Sequence, residues 1–261
     1  MYFHKAKGAW GAVTSSVDWC EANYVHSPFI AEFFNTLSSL ALVFLGEFGV
    51  RMNHTTHWKQ AMCFRMLSVV GVGSILFHMT LKYHMQMLDE LPMLWASALI
   101  ISLCLEFHYK KLPAWVSPSL YAFTVLATLV TTFASGSVQV GVFRVTFDIL
   151  GIVSSVIGVM SFSRLPAKSP MRGIGRLGAG VILLATLCWL VDIHRCKELS
   201  GLYINPQLHA VWHILVAFGV YHIMLLYVYL HKSKFDPFSS SLHYRWGFIP
   251  YLKRSSLIRR K

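Results

Sequence analysis

The stretch LHAVWHILVAFGVYHIMLLYVYL, residues 208–230, decides the fold class of this chain. Its 23 residues include no Asp, Glu, Lys or Arg. About 20 apolar residues are enough to cross the hydrocarbon core of a membrane as a helix. Six further apolar runs of similar length precede it. The sequence therefore predicts an all-α membrane protein with seven transmembrane helices, at residues 30–50, 61–81, 88–108, 118–136, 140–162, 174–192 and 208–230.

The composition agrees with this class, since 55% of the residues are hydrophobic and only 13% are charged. A soluble helical protein would need a polar face on each helix, and the alternation typical of outer-membrane barrels does not recur. We expect one seven-helix domain over residues 30–230. A polar segment, 1–29, precedes it without the pattern of a cleaved leader. A basic tail, 231–261, follows and is expected either to lie along the cytosolic membrane surface or to be partly disordered.

The distribution of Lys and Arg predicts the orientation of the chain. The tail carries eight of these residues. The loops on its side of the membrane add Arg51, Lys59, Arg65, Lys110, Lys111, Arg164, Lys168, Arg172 and Arg176, against Lys5, Lys7, Lys82, Arg195 and Lys197 on the other side. The positive-inside rule then places the carboxyl terminus in the cytosol and the amino terminus in the lumen. A basic face against anionic lipid accounts for the net charge of +12 better than nucleic-acid binding does.

Three histidines are candidates for a metal site. His209 and His213 lie four residues apart and so share a helix face, as do Ser74 and His78. Three imidazoles with one open position are typical of catalytic zinc, although spacing alone fits a packed histidine pair at least as well. The predicted topology brings these four residues and Asp89 to one depth on the lumenal side. Polar groups within a bilayer are costly, so the set indicates hydrolytic chemistry in the membrane.

Hard oxygen donors cluster in the amino-terminal segment. Asp18, Glu21, Asn23 and Glu32, with the backbone carbonyl of Trp19, would suit calcium. Their spacing does not match an EF-hand, and the residues alone favour a solvated acidic cap. Five cysteines do not define a disulfide framework, although Cys20 and Cys196 are both predicted on the lumenal side, where oxidation is permitted.

Five stretches of this sequence resemble the alkaline ceramidase family, its phytoceramidase-like branch in particular. They are VDWCEANY at 17–24, IAEFFNT at 30–36, GSILFHMTLKY at 73–83, MQMLDELP at 85–92 and HAVWHIL at 209–215. The similarity runs along the chain in order, and residues 110–180 contribute little. This family belongs to a wider superfamily of seven-helix hydrolases that includes the adiponectin receptors.

The resemblance implies a role for each candidate residue. It implies that His78, His209 and His213 bind zinc, that Asp89 transfers protons and that Ser74 stabilises the oxyanion. Nucleophilic attack by Ser74 stays an alternative, although no further histidine is free to activate it. The resemblance also implies that Asp18, Trp19, Glu21, Asn23 and Glu32 bind calcium and that Cys20 pairs with Cys196.

The implied activity is zinc-dependent hydrolysis of ceramide, phytoceramide or dihydroceramide to a sphingoid base and a free fatty acid, in the endoplasmic reticulum or Golgi. The implied partners are the lipid substrate and the membrane, with no nucleic acid and no obligate protein partner. A lipid-sensing receptor of the adiponectin-receptor type is one alternative, but its topology would be inverted. A transporter is another, but it would need broken helices near His78 or His213.

Charged residues in the fifth and sixth spans carry separate expectations. Arg144 and Asp148 lie four residues apart and are expected to form an intramembrane ion pair, with binding of polar groups of the substrate as the alternative. Asp192 ends the sixth span and is expected to hold the metal-binding residues in place by hydrogen bonding.

Overall fold

The computed structural model describes residues 8–257, except 54, 56, 110, 135, 236 and 237. The basic residues Lys5, Lys7, Lys110 and those at 259–261 lie outside this part of the chain. Seven helical segments in it are long and apolar enough to cross a membrane, which confirms the predicted fold class.

The helices are α1 (Phe33–Ser38), α2 (Leu40–Met52), α3 (Trp58–Thr80), α4 (Tyr83–His108), α5 (Val116–Phe133), α6 (Gly136–Ser163), α7 (Met171–His194), α8 (Cys196–Ser200) and α9 (Leu208–Phe235). The first span consists of α1 and α2 together, and the short α8 lies outside the spans. Two strands follow, β1 (Phe238–Arg245) and β2 (Ile249–Leu257).

The last span, α9, lies in the middle of the bundle, where it packs against α2, α3, α4 and α7. Large side chains such as Phe64, Tyr221 and Leu225 are fully buried around it. In contrast, α6 packs against α4 and α5. The outer faces of α5, α6 and α7 expose apolar side chains, including Phe133, Val159 and Leu183. Such faces are what lipid would cover.

The third span begins earlier than predicted. Since α4 starts at Tyr83 and not at residue 88, Asp89 lies in its second turn and Pro92 lies inside the helix. Proline has no N–H, so the Leu88 carbonyl loses its usual helical donor. A Cβ added to Gly73 of α3 would lie only 2.0 Å from that carbonyl oxygen. Glycine at position 73 therefore lets α3 approach the backbone of α4 directly beside Ser74 and Asp89.

The amino-terminal segment caps the end of α3. Leu81 adopts a left-handed conformation (φ 48°) that terminates this helix, and the last carbonyls of a helix need donors from elsewhere. Ala31 N–H donates to the Met79 carbonyl and Glu32 N–H to the His78 carbonyl, both at 2.9 Å. A disulfide between Cys20 and Cys196 also fastens the segment to α8.

The tail folds back on the bundle as an antiparallel hairpin of β1 and β2. Its turn contains Trp246 and Gly247, both with positive φ (50° and 81°), as type I′ hairpin turns require. Leu252 N–H donates to Asn53 Oδ1 at 2.8 Å, and the Tyr221 hydroxyl donates to the Pro250 carbonyl at 2.6 Å. Residues 238–257 of the tail are thus part of the folded domain, which the sequence analysis did not predict.

Candidate active site

The three candidate histidines meet at one end of the bundle. His78 lies in the last turn of α3, and His209 and His213 lie in the first two turns of α9. Their ring centroids are separated by 4.7 to 5.3 Å. Each residue can present a ring nitrogen within 4.8 Å of the other two. All three side chains are buried.

Neighbouring side chains fix which ring nitrogens are free. The Nδ1 atom of His78 contacts the carboxylate of Glu32, and Nδ1 of His213 lies 2.9 Å from the Ser38 hydroxyl. Ser38 itself donates to the Asn35 carbonyl at 3.1 Å. These partners favour a proton on Nδ1 and an unprotonated Nε2 in both rings, as in histidines that bind zinc.

The surroundings of the third histidine, His209, are also compatible with metal binding. Nδ1 of His209 is buried and has no hydrogen-bond partner among the described residues. Its ring stacks on Trp19 at a centroid distance of 3.7 Å and on Trp212 at 4.9 Å. Buried polar atoms normally have partners. Three buried imidazoles with free ring nitrogens suit zinc, because it accepts nitrogen donors readily.

The Ser74 hydroxyl lies beside this cluster. Its Oγ is 3.4 Å from Nε2 of His213 and 2.9 Å from the Ser39 hydroxyl. Because Ser39 donates to the Asn35 carbonyl at 2.7 Å, its oxygen is available to accept the Ser74 proton. Ser74 can redirect that proton to a ligand without losing all its partners.

A cavity of about 360 Å³ connects the histidine cluster, at His209, with the fifth candidate, Asp89. Its walls come from the amino-terminal segment, α4, α6, α7 and α9. Its volume is at the lower end of the range typical of small-molecule pockets. His209 and Asp89 both line it. Asp89 forms no hydrogen bond or ion pair with another described residue, so its carboxylate is free to meet a ligand.

The predicted calcium-binding residues also converge. Asn23 donates to the Asp18 carboxylate at 3.1 Å, and Trp19 N–H donates to Glu32 at 3.0 Å. Glu21 accepts the Phe34 and Asn35 amides at the start of α1, at 2.7 and 2.9 Å. The side chains of Asp18, Glu21, Asn23 and Glu32 are all buried.

The electrostatics of this group fit a cation. Burial raises the pKa of Glu21 to about 7 and that of Glu32 to about 8, and no described Lys or Arg lies within 4 Å of either carboxylate. The Oδ1 atom of Asn23 is buried without a partner. Buried carboxylate and amide oxygens are ligands that suit calcium. A bound cation would favour the ionised form of Glu21 and Glu32 and so offset the unfavourable free energy of burying their negative charge.

The structure changes the interpretation of three further residues. Arg144 and Asp148 are not within 4 Å of each other as an ion pair, and Arg144 instead lies 4.5 Å above the Trp189 ring. The expectation of an ion pair was wrong, because the aromatic face competes for the guanidinium. Asp192 accepts the backbone N–H groups of Cys20 and His209, so it connects the amino-terminal segment to α9.

Sequence reasoning did not identify Ser38 and Ser39, which contact His213 and Ser74. The available signal was a pair of hydroxyl side chains inside an apolar span, where polar groups need a reason.

Comparisons with known proteins identify the family of the chain. The family model described as Ceramidase matches residues 11–253. Alkaline ceramidase 3 of Mus musculus is 34% identical over 234 residues, covering 85% of this chain and 86% of the relative. Alkaline ceramidase YPC1 of Saccharomyces cerevisiae is 32% identical, covering 94% and 86%. Alkaline ceramidase of Arabidopsis thaliana is 28% identical, covering 94% of both. The chain therefore belongs to the ceramidase family.

Proposed function

We propose that this chain is a zinc-dependent amidase that cleaves ceramides at a site within the membrane. Membership of the ceramidase family makes it an integral multi-pass membrane protein and a hydrolase of the ceramide amide bond. The observation that supports the proposal is a cluster of three buried histidines with Ser74 beside it, next to a cavity that His209 and Asp89 both line. The receptor alternative is not favoured, because the matching relatives carry the names of ceramidases.

In this proposal, His78, His209 and His213 hold the zinc ion. When bound, zinc supplies Lewis acidity and lowers the pKa of water, so that a nucleophile forms near neutral pH. Glu32 and Ser38 orient His78 and His213 through their second ring nitrogens. Trp19 and Trp212 hold the His209 ring in place by stacking.

Asp89 and Ser74 act on the substrate itself. Asp89 accepts a proton from the attacking water and then donates it to the amide nitrogen as the carbon–nitrogen bond breaks. The sphingoid base leaves as an amine and the acyl chain as a fatty acid. The Ser74 hydroxyl turns from Ser39 and donates to the carbonyl oxygen, where negative charge develops. Apolar side chains such as Phe143, Phe147 and Trp212 line part of the cavity, and a lower local dielectric strengthens both interactions.

We also propose calcium at Asp18, Trp19, Glu21, Asn23 and Glu32, where it would order the amino-terminal segment. The orientation with a lumenal amino terminus, and a location in the endoplasmic reticulum or Golgi, agree with the Cys20–Cys196 disulfide, since those compartments permit oxidation.

Metal analysis and hydrolysis assays of the same preparations test the proposal. Purified wild type should contain zinc and release fatty acid from a ceramide. Ala substitution at His78, His209 or His213 should abolish zinc content and hydrolysis together, while Ala substitution of His243 in the tail should change neither. Full hydrolysis by a zinc-free histidine variant would overturn the mechanism.

A further inference from the structure

Glu90 is a buried carboxylate that the proposed mechanism does not use. It directly follows Asp89 in α4 and is 9% exposed. No described Lys or Arg lies within 4 Å of it, although it is in a membrane-spanning helix. Ionisable groups at such positions are costly and usually functional. The local contacts indicate what this one binds.

Two amide side chains hold the Glu90 carboxylate in a fixed orientation. Gln86 donates to its Oε1 at 2.8 Å, and Gln139 of α6 donates to its Oε2 at 3.2 Å. Gln86 is held in turn by the backbone N–H of Ser16, at 2.7 Å from its Oε1. Both glutamines are fully buried. Three separate parts of the chain therefore position one carboxylate.

The carboxylate retains capacity for a ligand. Two carboxylate oxygens can accept about four hydrogen bonds, and the glutamines supply one to each oxygen. Glu90 also lines the cavity that contains Asp89 and His209. The remaining lone pairs of the Glu90 carboxylate are thus accessible to a molecule in that cavity, where they can accept hydrogen bonds from a donor group.

Apolar side chains make up a large part of the cavity wall, although Arg144 and Asp148 also line it. Met93, Phe143 and Phe147 line the same cavity, and the two phenylalanine rings stack at 5.9 Å. A lipid chain packs well against such a wall. A sphingoid base carries hydroxyl groups within two carbons of its amide nitrogen, and a hydroxyl in apolar surroundings is costly unless it is hydrogen-bonded.

We propose that Glu90 is the hydroxyl-binding residue for the sphingoid base and sets the preference among hydroxylated substrates. This inference rests on the proposed function. With the amide at Asp89, a hydroxyl near the nitrogen donates to Glu90, and the hydrocarbon chain continues along Met93, Phe143 and Phe147. Glu90 is a specificity-determining residue here, and it takes no part in proton transfer.

Substrate pairs that differ by one hydroxyl test the proposal. The pairs are N-acyl amides of long-chain bases with and without the hydroxyl at carbon 1, 3 or 4. For at least one pair, Glu90→Gln should lower kcat/KM on the hydroxylated member by roughly 10-fold, because a neutral amide oxygen is a weaker hydrogen-bond acceptor than a carboxylate. The deoxy member should change less than about twofold. A purely structural role would affect both members alike.

One further variant tests the role of Glu90 independently, and another serves as a control. Gln139→Leu removes one of the two donors and should reduce the same selectivity by a smaller factor, even if Glu90→Gln does not fold. Glu47→Gln changes a carboxylate that pairs with Arg51 in the first span, and it should leave all ratios unchanged. An equal fall on both members of every pair, in both cavity variants, would overturn the role of Glu90. Failure of wild type to hydrolyse any ceramide would instead overturn the proposed function.

Discussion

Each histidine of the site is held by a different neighbour, and these neighbours differ in what else they contact. Glu32 contacts His78 and also belongs to the acidic group around Asn23. Ser38 contacts His213 alone among the three histidines. His209 depends on two aromatic faces. At the residue scale, the proposed zinc and calcium sites therefore share one side chain, Glu32.

Asp89 and Ser74 should separate proton transfer from oxyanion stabilisation. Asp89→Asn removes the proton acceptor and should reduce turnover at least ~100-fold while zinc stays bound. Ser74→Ala should also reduce turnover, because the developing oxyanion loses a donor. Steady-state kinetics with metal analysis measures both effects. Mass spectrometry that trapped an acyl group on Ser74 would contradict attack by water.

Glu32 and Glu21 should differ in their effects on the two metals. Glu32→Ala should lose calcium and also weaken zinc binding by about 10- to 100-fold, because it removes the partner of His78. Glu21→Ala should lose calcium only, since Glu21 contacts the start of α1. Both variants should have a lower thermal stability, like wild type treated with EGTA. Added calcium should restore the stability of wild type but not that of either variant. Unchanged stability after chelation, with no calcium in the purified protein, would return these residues to a simple acidic cap.

The effect of calcium on stability should also depend on pH. The folded, calcium-free protein has pKa values of about 7 for Glu21 and about 8 for Glu32, above their ordinary value of 4.5. Their protonated forms therefore contribute stability at pH values below 4.5, and this stability is lost as the pH rises through 7 and 8. Calcium compensates for the buried charge, so it should raise Tm more at pH 8 than at pH 6. An equal rise at both pH values would contradict calcium binding to these carboxylates.

At the scale of elements, the contact between α3 and α4 sets the distance between Ser74 and Asp89. Gly73→Ala would place a methyl group against the Leu88 carbonyl. The helices would have to separate, at a cost of about 1–3 kcal/mol, and hydrolysis should fall sharply because the two side chains move apart. Thermal unfolding and activity assays measure this. Gly180→Ala adds a methyl group to open space on α7 and should change neither. Equal behaviour of the two variants would show that the contact is unimportant.

The spans were predictable because a membrane demands a minimum length of apolar residues, a property that composition reveals directly. The convergence of His78 with His209 and His213 followed from predicted depth. The contact of Glu32 with His78 was not predictable in this way, because it depends on how an irregular segment folds over a helix end. The hairpin was missed because its buried residues, Ile249 and Leu252, are few and sit among polar neighbours. The early start of α4 was missed because polar residues fill its first turns.

For the whole molecule, the orientation in the membrane can be tested at Asn53. Residues 53–55 match an N-glycosylation acceptor, but the proposed topology places them in the cytosol. Asn53 is buried, accepts from Leu252 and donates to the Gly49 carbonyl at 2.9 Å. We expect no glycan there, as judged by the absence of a mobility change after glycosidase treatment.

A matched variant supplies the positive control. Ala12→Asn creates an acceptor at residues 12–14 in the exposed part of the amino-terminal segment, and it should be glycosylated if that segment is lumenal. A glycan on Asn53, with none on the variant at position 12, would invert the proposed topology.

The Cys20–Cys196 disulfide joins residues 176 positions apart, and this separation has a consequence for biosynthesis. Cys20 leaves the ribosome early, but its partner follows only after six of the seven spans have been made. Until then, only the backbone at Glu32–Phe33 joins the segment that carries Trp19 to the bundle, and α9 with two of the three histidines does not yet exist. The last steps of synthesis therefore complete the histidine cluster and allow the Cys20–Cys196 disulfide to form at nearly the same time. A chain that stops before residue 196 would lack His209 and His213 and therefore the proposed zinc site.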